Sequence, residues 1–257
     1  MKYPFTPELL DSLPEELAEL YRSLELKLLD EICSRLKIAG ELNEVTVQDI
    51  RALRSHGIDL SEIEKAIQRT ANISRKELDK LLDEVVERNQ RYYTDLIDLA
   101  GVTQPETMVS SADINAILSQ AQREVGNLTR SMGFLLDNGR TMLPYARAYQ
   151  WALDSAEMQI MSGAISYNQA IKSAVKQLAD SGLRMVDYES GHRDHIDVAA
   201  RRAVMTGVSQ ICAKYTEQSA EYLETPYFEI SAHIGARDKG VGWQNHKAWQ
   251  GRVYSVR

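Results

Sequence analysis

SLPEELAELYRSLELKLLDEICSRLKIAG, residues 12–40, is the stretch that decides the fold class. Leu17, Leu20, Leu24, Leu28, Ile32 and Leu36 recur every three or four residues. That period lines them up on one stripe of a helix of about seven turns. Ser12, Leu13, Pro14 and Glu15 have capping-box spacing with a proline near the helix start. Gly40 supplies a stop.

The same punctuation continues outward from this stripe. Two short helices are expected over residues 47–55 and 60–70, separated by His56, Gly57, Ile58 and Asp59. Ser74 to Glu77 is a second capping box, opening a helix that carries Leu78, Leu81, Leu82, Val85, Val86, Tyr92, Tyr93 and Leu96. Arg88, Asn89 and Gln90 interrupt that stripe, so part of this helix is expected to face solvent. Residues 101–111 read as a linker. A helix over 112–132 follows, then a loop bracketed by Gly133 and Gly139. Pro144 starts a helix to about residue 163, and Ser166 caps one that stops at Gly182. A long helix over 194–223 precedes Thr225 and Pro226.

The period then changes. Phe228, Ile230 and Ala232 alternate with Tyr227, Glu229 and Ser231, which is a strand pattern. A glycine-rich loop over 235–242 leads to a second strand start at 252–256. The expected fold is mainly α: a multi-helix body with a small α+β element at the C-terminus. Its expected division is an acidic helical region over 1–100, a linker over 101–111, a helical body over 112–223 and the small element over 224–257.

Composition narrows the function classes. Of 257 residues, 44% are hydrophobic and 26% charged, which suits a folded domain and not a disordered one. No apolar run approaches the roughly 18 residues of a membrane span. The start, Met1 to Thr6, lacks the signature of a signal peptide, so assembly in a cytoplasm is expected. Cys33 and Cys212 both fall in helical patterns and read as reduced, partly buried thiols. The net charge is −7, and residues 1–100 carry 14 Lys+Arg against 21 Asp+Glu. An acidic chain is a poor general binder of phosphate backbones, which leaves room only for a local basic patch. Arg201, Arg202, Arg237, Lys239, Lys247 and Arg252 are candidates for one.

Two places hold residues able to do chemistry. His192 and His195 are three apart, a spacing that lets two imidazoles share a metal on a helix. No further Cys or His stands nearby to complete a set, and a solvated helix start with Asp197 paired to Arg201 is the plainer reading. Residues 231–257 are denser. Arg237, Trp243, His246, Trp249 and Arg252 interleave indoles with polar groups, as binding surfaces do. His233, Asp238 and His246 are weak candidates for a metal set or an acid–base set. A small module held together by buried indoles explains the same residues, with Trp249 expected to be more buried than Trp243. No phosphate loop, nucleophile elbow or paired-cysteine motif occurs, so no enzyme and no cofactor are expected.

Several segments carry a resemblance, in order along the chain. They run from Lys37 to Leu42 and Asp49 to Ile58, through Asn127 to Phe134 and Ala146 to Asp154. They continue with Val186 to Gly191, Asp197 to Val204, Ser231 to Arg237, Asn245 with His246, and Trp249 to Ser255. In these the chain resembles the phage minor capsid protein 2 family, which is related to head morphogenesis proteins of the Mu F type. The resemblance implies a low-copy protein of the tailed-phage head, in the virion and at or near the portal vertex. Head assembly, DNA packaging or genome delivery would be its task, with the portal protein, other head proteins and packaged DNA as partners. Oligomers would form only within the virion, and no catalytic residue is implied. The Mu F group has been suspected of binding metal through C-terminal Cys and His, but no cysteine follows His233 and His246 here. Family members continue past such a Trp-to-Tyr motif, so the C-terminal element is expected to be completed by further chain or covered by another protein.

Overall fold

The computed structural model describes residues 3–40, 61–103, 105, 107–136, 141–162, 166–186, 193–230 and 238–255. The helix expected over 47–55, His192, His233 and Arg237 lie outside these residues. Among the described residues the fold is mainly helical with two small antiparallel sheets, one of them near the C-terminus. The chain divides into two compact units, one of residues 14–79 and 121–204, the other of residues 1–13, 80–120 and 205–257.

The unit of residues 14–79 and 121–204 is organised by helix α2 (Glu15–Gly40), which follows a short α1 (Pro7–Ser12). The expected stripe is real: Leu17, Leu24, Leu28 and Ile32 are buried, with Tyr21 among them. The cap differs from the expectation. Ser12 ends α1, donating its hydroxyl to the Leu9 carbonyl at 2.8 Å, and α2 begins after Pro14. Tyr21 donates to the Val125 carbonyl at 3.4 Å, and burial pushes its phenol up to about 12.

Helix α3 (Ser61–Leu99) runs without a break through Ser74. The second capping box is therefore not a helix start. Ser74 is fully buried and donates its hydroxyl back to the Thr70 carbonyl at 2.7 Å, the mid-helix use of a serine.

After α4 (Ser111–Arg130) comes a hairpin of β1 (Met132–Leu136) and β2 (Thr141–Leu143), where the sequence suggested a loop. Gly133 is there for close approach: a Cβ on it would sit 2.6 Å from the Leu143 carbonyl oxygen. Helices α5 (Tyr145–Met161) and α6 (Tyr167–Ser181) pack on each other. Ala148, Ala152 and Ala156 of α5 and Ala170 and Ala174 of α6 are buried, and such small side chains let two helices approach closely. Ser166 and Gln169 form the expected reciprocal capping box, and Gly182 ends α6 at φ 66. Strands β3 (Leu183–Val186) and β4 (Arg193–His195) complete a sheet of order β2-β1-β3-β4, antiparallel throughout. Helix α7 (Ile196–Tyr222) follows directly.

The other unit takes the later residues of α3, the first turns of α4 and the later part of α7. Leu82, Val85, Tyr93 and Ile97 on α3, and Val208, Ile211 and Tyr215 on α7, are buried. Asn89, expected near solvent, is fully buried instead. Its amide donates to the Val85 carbonyl at 2.8 Å and to the Cys212 sulfur at 3.5 Å. Tyr93 and Tyr215 stack at 6.1 Å, and Tyr3 meets Tyr92 edge-on at 5.5 Å. The end of α3 is closed by Gly101 at φ 69, with Val102 N–H donating to Ile97 and Gly101 N–H to Asp98. Among the described residues no helix is long and apolar enough to cross a membrane.

Candidate interaction surface

The C-terminal element is built on two three-residue strands, β5 (Tyr227–Glu229) and β6 (Val253–Ser255). Tyr227 pairs with Ser255, Phe228 with Tyr254 and Glu229 with Val253. Period-2 alternation puts Phe228 and Tyr254 on the half-buried face and leaves Tyr227, Glu229, Val253 and Ser255 exposed on the other. The ladder extends one step through Ile230, whose N–H donates to the Arg252 carbonyl at 3.0 Å. Its carbonyl accepts from Gly251 N–H at 2.7 Å. Two residues thus oppose one, a bulge, and Gly251 supplies it at φ 66.

Between the strands the chain makes two 3-10 turns, Gly242–Gln244 and His246–Trp249. Asn245 organises them. Its side-chain oxygen accepts from Ala248 N–H at 3.2 Å, and its amide donates to Asp238 at 3.2 Å. The second Asp238 oxygen takes Lys247 Nζ at 2.8 Å. The lysine, and then the Asn245 amide, hold the Asp238 carboxyl below its ordinary range, while Asp238 raises Lys247. The Trp249 and Tyr254 rings lie 5.1 Å apart, and the Tyr254 hydroxyl donates to the Trp249 carbonyl at 3.3 Å.

The sequence candidates fall out unevenly. Arg237 and His233 are outside the described residues, and of Trp243 only the backbone, in the first 3-10 turn, is described. His246 and Arg252 are exposed. Trp249 is 37% exposed, and the comparison expected with Trp243 lies outside what is described. Asp238 would have to give up Lys247 and Asn245 to ligate a metal, and among the described residues no group of three His, Cys, Asp or Glu is placed to hold one. Sequence reasoning passed over the apolar part of the surface. Val241 is 89% exposed, and Val253 and Tyr227 are more than half exposed. The strand alternation at 227–232 was the available signal for Tyr227, and the flanking glycines for Val241.

The residues around His195 serve the fold. His195 takes Arg184 at 2.9 Å through Nε2. The pairing expected between Asp197 and Arg201 is replaced by bonds to α2. Arg22 reaches Asp197 at 3.1 Å and Glu15 pairs with Arg201. Arg202 pairs with Asp194. Of the six cations read as a basic patch, Arg201, Arg202 and Lys247 are thus already matched to carboxylates.

Neither the curated proteins nor the solved structures give a match to this chain. The family model for phage minor capsid protein 2 matches residues 5–257, nearly the whole length. The chain therefore belongs to the phage minor capsid protein 2 family.

Proposed function

We propose that this protein works by contact and not by catalysis, as a portal-associated component of a tailed-phage head that acts in head assembly, DNA packaging or genome delivery. The observation that carries this reading is the exposed aromatic and aliphatic surface of the C-terminal element. Tyr227, Val241 and Val253 are more than half exposed, and Trp249 about a third, beside a sheet of only two short described strands. Family membership supplies the setting, a phage head. The test is co-expression with the portal protein of the same phage. Co-purification is expected, and its failure at low salt with both proteins folded would overturn the reading.

A second reading is direct contact with packaged DNA. Residues 226–257 carry five Lys+Arg against two Asp+Glu in a chain that is otherwise strongly acidic. A gel shift with duplex DNA that weakens steeply with salt would favour it.

A further inference from the structure

We propose, building on the interaction reading above, that the C-terminal element is a strand acceptor: an extended, acidic segment of a partner protein adds to the edge of β6 that faces away from β5. Antiparallel pairing alternates the direction of the backbone groups. Ile230 turns both its N–H and its carbonyl toward the 251–252 side, so Phe228, two residues back, does the same toward Tyr254. Val253 and Ser255, flanking Tyr254, therefore aim their N–H and carbonyl groups away from β5. Among the described residues nothing meets them.

A row of alternating donors and acceptors that no described residue meets selects its own occupant. A polypeptide backbone matches it donor for acceptor, whereas a phosphodiester backbone offers acceptors only. The side chains favour a polypeptide as well. Val253 is exposed on one face of β6 and calls for an apolar group at the position of the added strand that lies beside it. Charge sets the remaining positions. Arg252 and Lys239 are exposed, and residues 226–257 hold three more cations than anions, which favours an acidic segment.

The test uses the full chain and a short, blocked peptide of alternating glutamate and valine. Binding is followed by Trp249 emission and by amide exchange at Val253 and Ser255. The expected result is a shift in emission with slowed exchange at both amides. A peptide N-methylated on its pairing edge is expected to bind about tenfold more weakly or not at all. Val253→Pro removes an outward N–H and leaves the β5 ladder intact, so it is expected to lose the peptide by a similar factor. If that variant fails to fold, the N-methylated peptide on the unaltered protein still decides. Equal binding of methylated and unmethylated peptides, or no binding of either, overturns the proposal. So does a single-stranded oligonucleotide that binds where the peptide does not. Portal co-purification that survives Val253→Pro would sink strand addition and leave the portal reading standing. Peptide binding without portal binding would do the reverse.

Discussion

The imidazole of His195 occupies the space that a side chain at position 182 would need. A Cβ on Gly182 would lie 2.6 Å from its Cε1 and 2.7 Å from its Nδ1. Gly182 also has φ 66 and ψ 165, a conformation that is nearly glycine's alone. Helix α6 can therefore stop and turn into β3 only at a glycine, with His195 of β4 packed over it.

Gly182→Ala is expected to destabilise the protein by at least about 2 kcal/mol, from backbone strain and overpacking together. Adding His195→Ala should recover the steric part and leave the backbone part. Chemical denaturation of both single variants and the pair measures this. Simple additivity would show that the ring is not the obstacle.

Glu224 closes helix α7 in the left-handed region at φ 50, with Thr225 N–H donating to the Ala220 carbonyl at 3.0 Å. Glycine is the usual residue at such a position, and a carboxylate there also opposes the helix dipole. Glu224→Gly is expected to stabilise by about 0.5 kcal/mol, after the entropy that glycine adds to the unfolded chain. Glu224→Asn should fall between the two. A thermal melt ranking glutamate highest would refute this account.

Asn89 spends its amide on Val85 and Cys212, but its side-chain oxygen has no partner among the described residues. A buried acceptor without a donor is a cost, and leucine has nearly the same shape. Asn89→Leu is expected to stabilise by about 1 kcal/mol. A lower denaturation midpoint would mean that the oxygen is satisfied in solution.

Two carboxylates give opposite pH signatures. Burial pushes Glu25 up, against the opposing pull of the Leu183 N–H, His195 and Arg184. A raised folded-state value means that stability is lost as pH rises from the ordinary carboxylate value through the raised one. Glu25→Gln should flatten the stability profile in that window. Asp238 is lowered by Lys247, so its contribution is present above the ordinary value and disappears as pH falls through the lowered one. Lys247→Met should return Asp238 toward its ordinary titration, followed by NMR. No change in either titration would remove the assigned partners.

The helices were legible where one stripe or one cap dominates. Leu17 to Ile32 sit as their spacing requires, and the α6 boundaries follow from Ser166 and Gly182. Strand β5 was legible from alternation, because one face of its sheet is wet. Strand β1 was not, since Met132 to Leu136 is a short apolar run without alternation, and its glycine resembled a loop boundary.

Long-range partners explain the other departures. Local rules pair Asp197 with Arg201 one turn on, but Arg22 and Glu15 of α2 take them instead. Asn89 looks like a surface residue until Cys212, 123 positions away, is packed beside it. Within the candidate surface the residue types were readable, while the bond from Asp238 to Lys247 depends on a loop path that no periodicity encodes.

The interleaving of the two compact units has a consequence for biosynthesis. The unit that begins with residues 1–13 also needs 80–120 and 205–257, with the other unit's residues emerging in between. During translation helix α1 and the later turns of α3 must wait for residues 205–257 to leave the ribosome. The unit of residues 14–79 and 121–204 has all its residues earlier, so the order of synthesis favours its folding first. A nascent chain whose first 204 residues had all left the ribosome could hold one finished unit, with apolar residues of the other still awaiting their partners, the kind of surface that chaperones retain.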